Sequence, residues 1–181
     1  MKDFIKQKLI ENLKDYCKVS KNLITNENIN IPSLSLTKNV DLNDSDKNKL
    51  INLKYDDIDF EQLSTTSPIK LKVILPWDND LSEGIALDIQ IVKDSLFQIH
   101  ISLDKNLQNY GLGYKIYKAL ITQFGHLYSG KGRRHNKSQV PKIWNKLNSE
   151  PGISCYSNKN MDICILDDNP NKDELKKLVG F

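Results

Sequence analysis

The amino-acid sequence predicts an α/β (α+β) fold: a central, mostly antiparallel mixed sheet flanked by helices, entered through a less regular N-terminal arm. Three features of the 181 residues carry that expectation. Apolar and polar residues alternate in three consecutive runs over 69–103, the side-chain period of a strand. Apolar residues then recur every four positions over 112–124, the spacing of one helix face. Ahead of both, residues 20–67 hold neither period and are rich in Asn, Asp, Ser and Thr.

Taken in order, Phe4, Ile5, Leu9, Leu13, Tyr16 and Cys17 fall on one stripe among Lys and Glu, so 2–18 reads as an amphipathic helix that must dock on something. Between 20 and 67 only short apolar pieces survive, at 29–36 and 50–53, with Pro32 and Pro68 punctuating the ends. Three readings of that stretch stand side by side: an irregular arm, an insertion covering a substrate, or the first strand and helices of the domain in weak disguise. The expected division is 1–67 for the N-terminal helix and polar arm, and 68–181 for the main domain. Ile69, Leu71, Val73 and Leu75 open the first strand; Ile85, Leu87, Ile89 and Ile91 mark the second; Phe97, Ile99, Ile101 and Leu103 mark the third. A polar loop at 76–84 and the turn Lys93-Asp94-Ser95 join them as antiparallel neighbours. Leu112, Ile116, Leu120 and Phe124, widened by Tyr117 and Ile121, give a helix that Gly125 can cap. A short apolar piece at 126–128, a basic loop at 130–137, a helix around 138–147 and a strand around 161–166 complete the order.

Composition narrows the function classes. Charged residues at 27% and hydrophobic residues at 39% give a globular balance, and a net charge of +3 is too small to argue for nucleic-acid binding except through local clustering. The N-terminus is charged throughout and no window approaches a membrane span, so a soluble, cytoplasmic chain with no membrane partner is expected. Cys17, Cys155 and Cys164 are odd in number and suit reduced, buried thiols, and together with His100, His126 and His135 they show no metal-ligand spacing.

The turn Gln108-Asn109-Tyr110-Gly111-Leu112-Gly113 lies between the third strand and the helix. Two alternate glycines let backbone approach a ligand and adopt positive φ. The unpaired N–H groups of the first helical turn, beside the positive end of the macrodipole, make an anion site suited to a diphosphate. No Lys follows the second glycine, and the helix follows an antiparallel meander, so neither a nucleotide-triphosphate loop nor a dinucleotide fold fits.

Here the sequence resembles the GNAT superfamily of acetyltransferases, whose pyrophosphate loop reads Q/R-x-x-G-x-G/A; Gln108, Gly111 and Gly113 meet every specified position. The resemblance spans about 69–166 and includes Asn136 and Ile143-Trp144-Asn145-Lys146-Leu147, similar to the family's later helix. It implies acetyl-CoA or coenzyme A as co-substrate. Ile101, Ser102 and Leu103 would hydrogen-bond the pantetheine arm, and Gln108, Asn109, Tyr110, Gly111, Leu112, Gly113 and Tyr114 would cradle the pyrophosphate. The family's late-helix Tyr, which protonates the departing thiolate, is replaced here by Trp144, whose indole N–H cannot serve as an acid; a buried aromatic anchor is its plainer reading.

Other positions invite chemistry without fixing it. Glu83, Asp88 and His100, on or beside the central strands, are candidate proton acceptors, and Tyr156 is a candidate donor. Lys131, Arg133 and Arg134 lie in a run without acids and suit an anion contact: the adenosine 3′-phosphate, an acidic substrate, a nucleic-acid backbone or merely a solvated turn. The leading expectation is an N-acetyltransferase acting on an amine. The alternatives are a GNAT-fold structural or interaction module, such as a virion component that engages an assembly partner through its N-terminal arm, and a nucleic-acid-binding domain.

Overall fold

A computed structural model describes residues 38–64, 68–77, 80–92, 96–130, 140–158 and 161–181. The helix expected at 2–18 lies outside the described residues. Within 38–64, the third of the three readings holds. α1 spans Asp44–Asn52 behind a capping box, in which the Asn43 side chain accepts from the Asp46 N–H at 2.9 Å and the Asp46 carboxylate accepts from the Asn43 N–H at 3.4 Å. A 3-10 turn at Tyr55–Asp57 then leads into β1, Asp59–Gln62. The weak sequence signal has a physical cause: Leu50 is the buried residue of α1 and Phe60 that of β1, so each element contributes one core side chain and no period can show.

The remaining strands are β2 (Ile69–Ile74), β3 (Ile85–Val92), β4 (Leu96–Leu103), β5 (His126–Gly130), β6 (Ile153–Ser157) and β7 (Met161–Leu166). They form one seven-stranded sheet ordered β1-β2-β3-β4-β5-β7-β6. All neighbours are antiparallel except β4 and β5. That parallel pair needs a crossover, supplied by α2 (Leu112–Phe124). α3 (Val140–Asn148) precedes the β6–β7 hairpin and α4 (Lys172–Leu178) ends the chain.

Alternation sorts the sheet into two faces. Ile69, Leu71 and Val73 of β2, Leu87 and Ile89 of β3 and Ile99 of β4 share one core with Ile116, Leu120 and Phe124 of α2 and Trp144 and Leu147 of α3. On the opposite face Leu96, Tyr128, Ile163 and Ile165 pack with Leu175 and Val179, beneath α4. α2 is also clamped to the early elements. Lys115 Nζ donates to the carbonyls of Leu50 and Ile51 at 2.6 and 2.8 Å, closing the C-terminal end of α1, and Lys118 Nζ lies 4.2 Å from the centre of the Tyr55 ring.

The expectation of reduced thiols is corrected for one pair. Cys155 of β6 and Cys164 of β7 are direct cross-strand partners with Cα atoms 4.0 Å apart, and they form a disulfide. A hairpin brings together residues that look unrelated as a list of cysteines. Cys17 lies outside the described residues.

Candidate functional site

A 3-10 turn at Lys105–Leu107 closes β4. Asp104 Oδ1 accepts from the Asn106 N–H at 2.9 Å, and Asn106 Nδ2 donates to the Val40 carbonyl at 2.8 Å, tying the turn to the early segment. Gln108 Nε2 donates to the Leu103 carbonyl at 3.1 Å. Asn109 and Gly111 then take left-handed backbone, φ 72° and 73°, conformations that Asn tolerates and Gly adopts freely. Gly111 is the N-cap of α2, and no side chain caps the helix. The first intrahelical bond runs from the Lys115 N–H to the Gly111 carbonyl at 3.1 Å, so the N–H groups of Leu112, Gly113 and Tyr114 have no acceptor within the helix.

The two glycines differ in what the fold asks of them. Gly111 is required by its φ. Gly113 is not in the left-handed region, and a Cβ there would meet Ile143 Cδ1 at 3.5 Å and Leu103 Cδ1 at 3.6 Å, ordinary van der Waals contact. Neither backbone nor packing explains a glycine at 113. The same distances place the first turn of α2 between the end of β4 and α3.

Along β4 the backbone groups sort by residue between its two neighbours. The Asp104 N–H donates to the Gly84 carbonyl at 2.8 Å, and the bonds of an antiparallel ladder alternate, so Ser102, His100 and Gln98 exchange bonds with β3. The N–H and C=O of the odd-numbered residues therefore face β5. There the parallel ladder has a single registered pair among the described residues, Gln98 with Tyr128. Beyond it Gln108 occupies the Leu103 carbonyl, and the N–H and C=O of Ile101 are directed to the β5 side, where no described residue is registered with it. Of the expected trio, Ile101 and Leu103 thus turn backbone to the β5 side, while Ser102 turns its backbone to Ala86 of β3.

The aromatic residues near the turn are engaged in packing. Tyr110 and Tyr114 are partly buried against the main core. The Tyr114 hydroxyl donates to Glu150 Oε1, Lys118 Nζ reaches Glu150 Oε2 at 2.5 Å, and Lys146 Nζ lies 3.9 Å from the Tyr114 ring centre. Burial and the neighbouring Glu150 carboxylate push the Tyr114 hydroxyl well above the ordinary phenol range, so it stays protonated. Glu150 was not singled out in the sequence; it lies 36 residues from Tyr114, and no local spacing connects them. Trp144 is 5% exposed and meets Tyr117 edge-on at 6.0 Å. Its Nε1 is buried without a hydrogen-bond partner, so the residue is placed as a core anchor.

The other candidates separate. Glu83 is exposed and pairs with Lys38 at 2.7 Å. Tyr156 lies on β6, three places from β4 in the sheet order, in the core beneath α4, with Phe181 at 5.7 Å and Lys176 over its ring. It is not brought to the turn. Asp88 and His100 face each other directly across β3 and β4, with Lys70 of β2 opposite Asp88. Asp88 is buried; burial pushes its carboxyl up, against the opposing pull of Lys70 and His100. Burial pushes the His100 imidazole down, partly countered by Asp88, and His100 Nε2 is buried without a partner. Asn136, Lys131, Arg133 and Arg134 lie outside the described residues. Among the described residues no group of three or more His, Cys, Asp or Glu could hold a metal ion, and no helix is long and apolar enough to cross a membrane. No protein-family model matches the chain, and no curated protein is significantly similar to it.

Proposed function

We propose that this chain is an acyl-CoA-dependent N-acetyltransferase of the GNAT kind, transferring an acetyl group from acetyl-CoA to an amine. The observation that carries the reading is one juxtaposition. The uncapped first turn of α2, with a glycine at 113 that the fold itself does not need, lies beside the end of β4, where Ile101 has no registered ladder partner on the β5 side among the described residues. A diphosphate suits the former, because the N–H groups and the helix dipole favour an anion and Gly113 permits close approach. An extended arm carrying amide groups suits the latter, because it can exchange hydrogen bonds with a strand edge as an added strand would. Coenzyme A joins those two chemistries in one molecule.

Residues of the chain then have limited tasks. Leu112, Gly113 and Tyr114 bind through backbone N–H groups, Gln108 fixes the turn against Leu103, and Ile101 aligns the arm. Bound acetyl-CoA supplies an activated thioester, and the protein contributes positioning and polarisation by backbone donors. Trp144 offers no proton, so the departing thiolate takes one from water.

Calorimetry with acetyl-CoA tests this reading. Saturable binding is expected in the native chain, and the Gly111→Val/Gly113→Val double variant, where it folds, is expected to lose it. A folded double variant that binds as well as the native chain removes the turn from the site.

A further inference from the structure

We propose that Cys155 and Cys164 form a reversible thiol–disulfide site, independent of the acetyltransferase reading. At this site a low-molecular-weight thiol from solvent attacks the Cys155 sulfur, and Cys164 is the buried leaving and resolving sulfur. The ladder between β6 and β7 is the first support. At one end of the hairpin the Asn158 N–H donates to the Met161 carbonyl at 2.9 Å, and at the other the Asp167 N–H donates to the Gly152 carbonyl at 2.9 Å. Antiparallel bonds alternate, so counting inward from either end makes Cys155–Cys164 a non-hydrogen-bonded pair, the kind in which facing side chains stand closest. The Cys155 N–H accordingly points off the sheet and donates to Asn148 Oδ1 at 3.0 Å. Backbone pairing, rather than the sulfur–sulfur bond, therefore sets the two cysteines side by side. Two residues along, Ser157 Oγ donates to Asp162 Oδ1 at 2.5 Å across the same two strands and ties the hairpin without the bridge.

A bridge at this position adds little as a staple. Its cysteines are 9 residues apart in the chain, the ladder already closes that loop, and loop-closure stabilisation is smallest for short loops. The two sulfurs also differ in access. Cys164 is fully buried on β7, with Leu127 of β5 as its partner on one side and Cys155 on the other. Cys155 is only partly buried and lies on β6, the last strand in the sheet order. A thiolate arriving from solvent therefore meets Cys155 first. Exchange depends on which sulfur can be reached, and disulfides open to solvent are the labile ones. Once the bond is broken, the unbroken ladder keeps Cys164 next to Cys155, placed to close it again.

In the exchange, the sulfur of an external thiolate forms a bond to Cys155 Sγ. The Cys155–Cys164 bond breaks with its electron pair going to Cys164 Sγ, which takes a proton from solvent. A second external thiolate then attacks the external sulfur of the mixed disulfide, and Cys155 leaves with the electron pair and takes a proton in turn. Two external thiols are oxidised to one disulfide and the chain is reduced by two electrons; an external disulfide drives both steps in reverse.

The test uses the full chain and reduced glutathione, in native buffer and in urea below the unfolding transition. Free thiols are trapped by alkylation and mapped by peptide mass spectrometry, so that Cys17 is counted separately. The bridge is expected to open in native buffer at a rate proportional to glutathione and unchanged by urea, with the mixed disulfide on Cys155, and to return when oxidised glutathione is added. Hydrogen exchange is expected to show the β6–β7 ladder still protected in the reduced chain. Cys164→Ser, where it folds, should retain a glutathione adduct on Cys155 after treatment with oxidised glutathione, because no resolving thiol remains. A bridge that opens only as urea unfolds the chain, an adduct on Cys164 in the native chain, or a reduced chain that loses the hairpin overturns the proposal.

Discussion

Alanine at 111 and alanine at 113 should change stability in opposite directions. Gly111 has φ 73°, and a Cβ there would find open space, its nearest neighbour being Lys115 Cε at 3.9 Å. The cost of Gly111→Ala is therefore purely backbone, about 1 kcal/mol from the left-handed conformation. Gly113 has ordinary helical backbone, and its Cβ would sit at 3.5 and 3.6 Å from two flexible methyl groups. Alanine there restricts the unfolded chain without strain and should stabilise by about 0.4–1 kcal/mol. The two variants should thus differ by nearly 2 kcal/mol, or roughly 4–8 °C in Tm for a chain of this size. Urea unfolding of the ligand-free full chain gives the comparison. A Gly113→Ala variant less stable than native would show that the glycine serves the fold, and would remove the argument that it is there for a ligand.

Gly84→Ala should destabilise by about 1–3 kcal/mol, because its Cβ would fall 2.7 Å from Leu107 Cδ1 and 3.0 Å from Val40 Cγ2; an unfolding midpoint equal to native would mean that the segment at 38–43 is not docked as described. Lys115→Met should cost about 1–2 kcal/mol by uncapping the carbonyls of Leu50 and Ile51, with hydrogen exchange rising at 50–53, and no change in exchange there would count against the clamp. The contacts of Glu150 with Lys118 and Tyr114 hold its carboxyl below the usual value of 4.5. A depressed carboxyl stabilises above its unfolded pKa, and that contribution is lost as pH falls through the folded one. Glu150→Gln should therefore flatten the acid-side loss of stability below about pH 4.5, and unchanged acid sensitivity would contradict the network.

Legibility in the sequence followed how many core residues each element contributes. β2, β3 and β4 carry three or more alternating apolar residues each, and α2 carries seven buried ones, so their positions and the antiparallel order were readable. α1, β1 and α4 each bury one residue, Leu50, Phe60 and Leu175, below what a period needs to appear. β6 was missed for a related reason: Ser154, Cys155 and Tyr156 follow Ile153, and only pairing with β7 makes the run a strand. In the site, Gln108, Gly111 and Gly113 were visible because a strand, a turn and a helix are contiguous in sequence. The opposition of Asp88 and His100 was not, since a hairpin's register, rather than the spacing between residues, decides which side chains meet. Glu150 likewise meets Tyr114 only through tertiary packing.

In the proposed acetyltransferase, coenzyme A is held between the first turn of α2 and the end of β4. Backbone amide spectra of the full chain, titrated with coenzyme A, test it most directly. The amides of Ile101, Gly111, Leu112, Gly113 and Tyr114 are expected to shift together along one saturating curve; saturation that leaves these five unmoved while others respond, or no response at all, would contradict that placement.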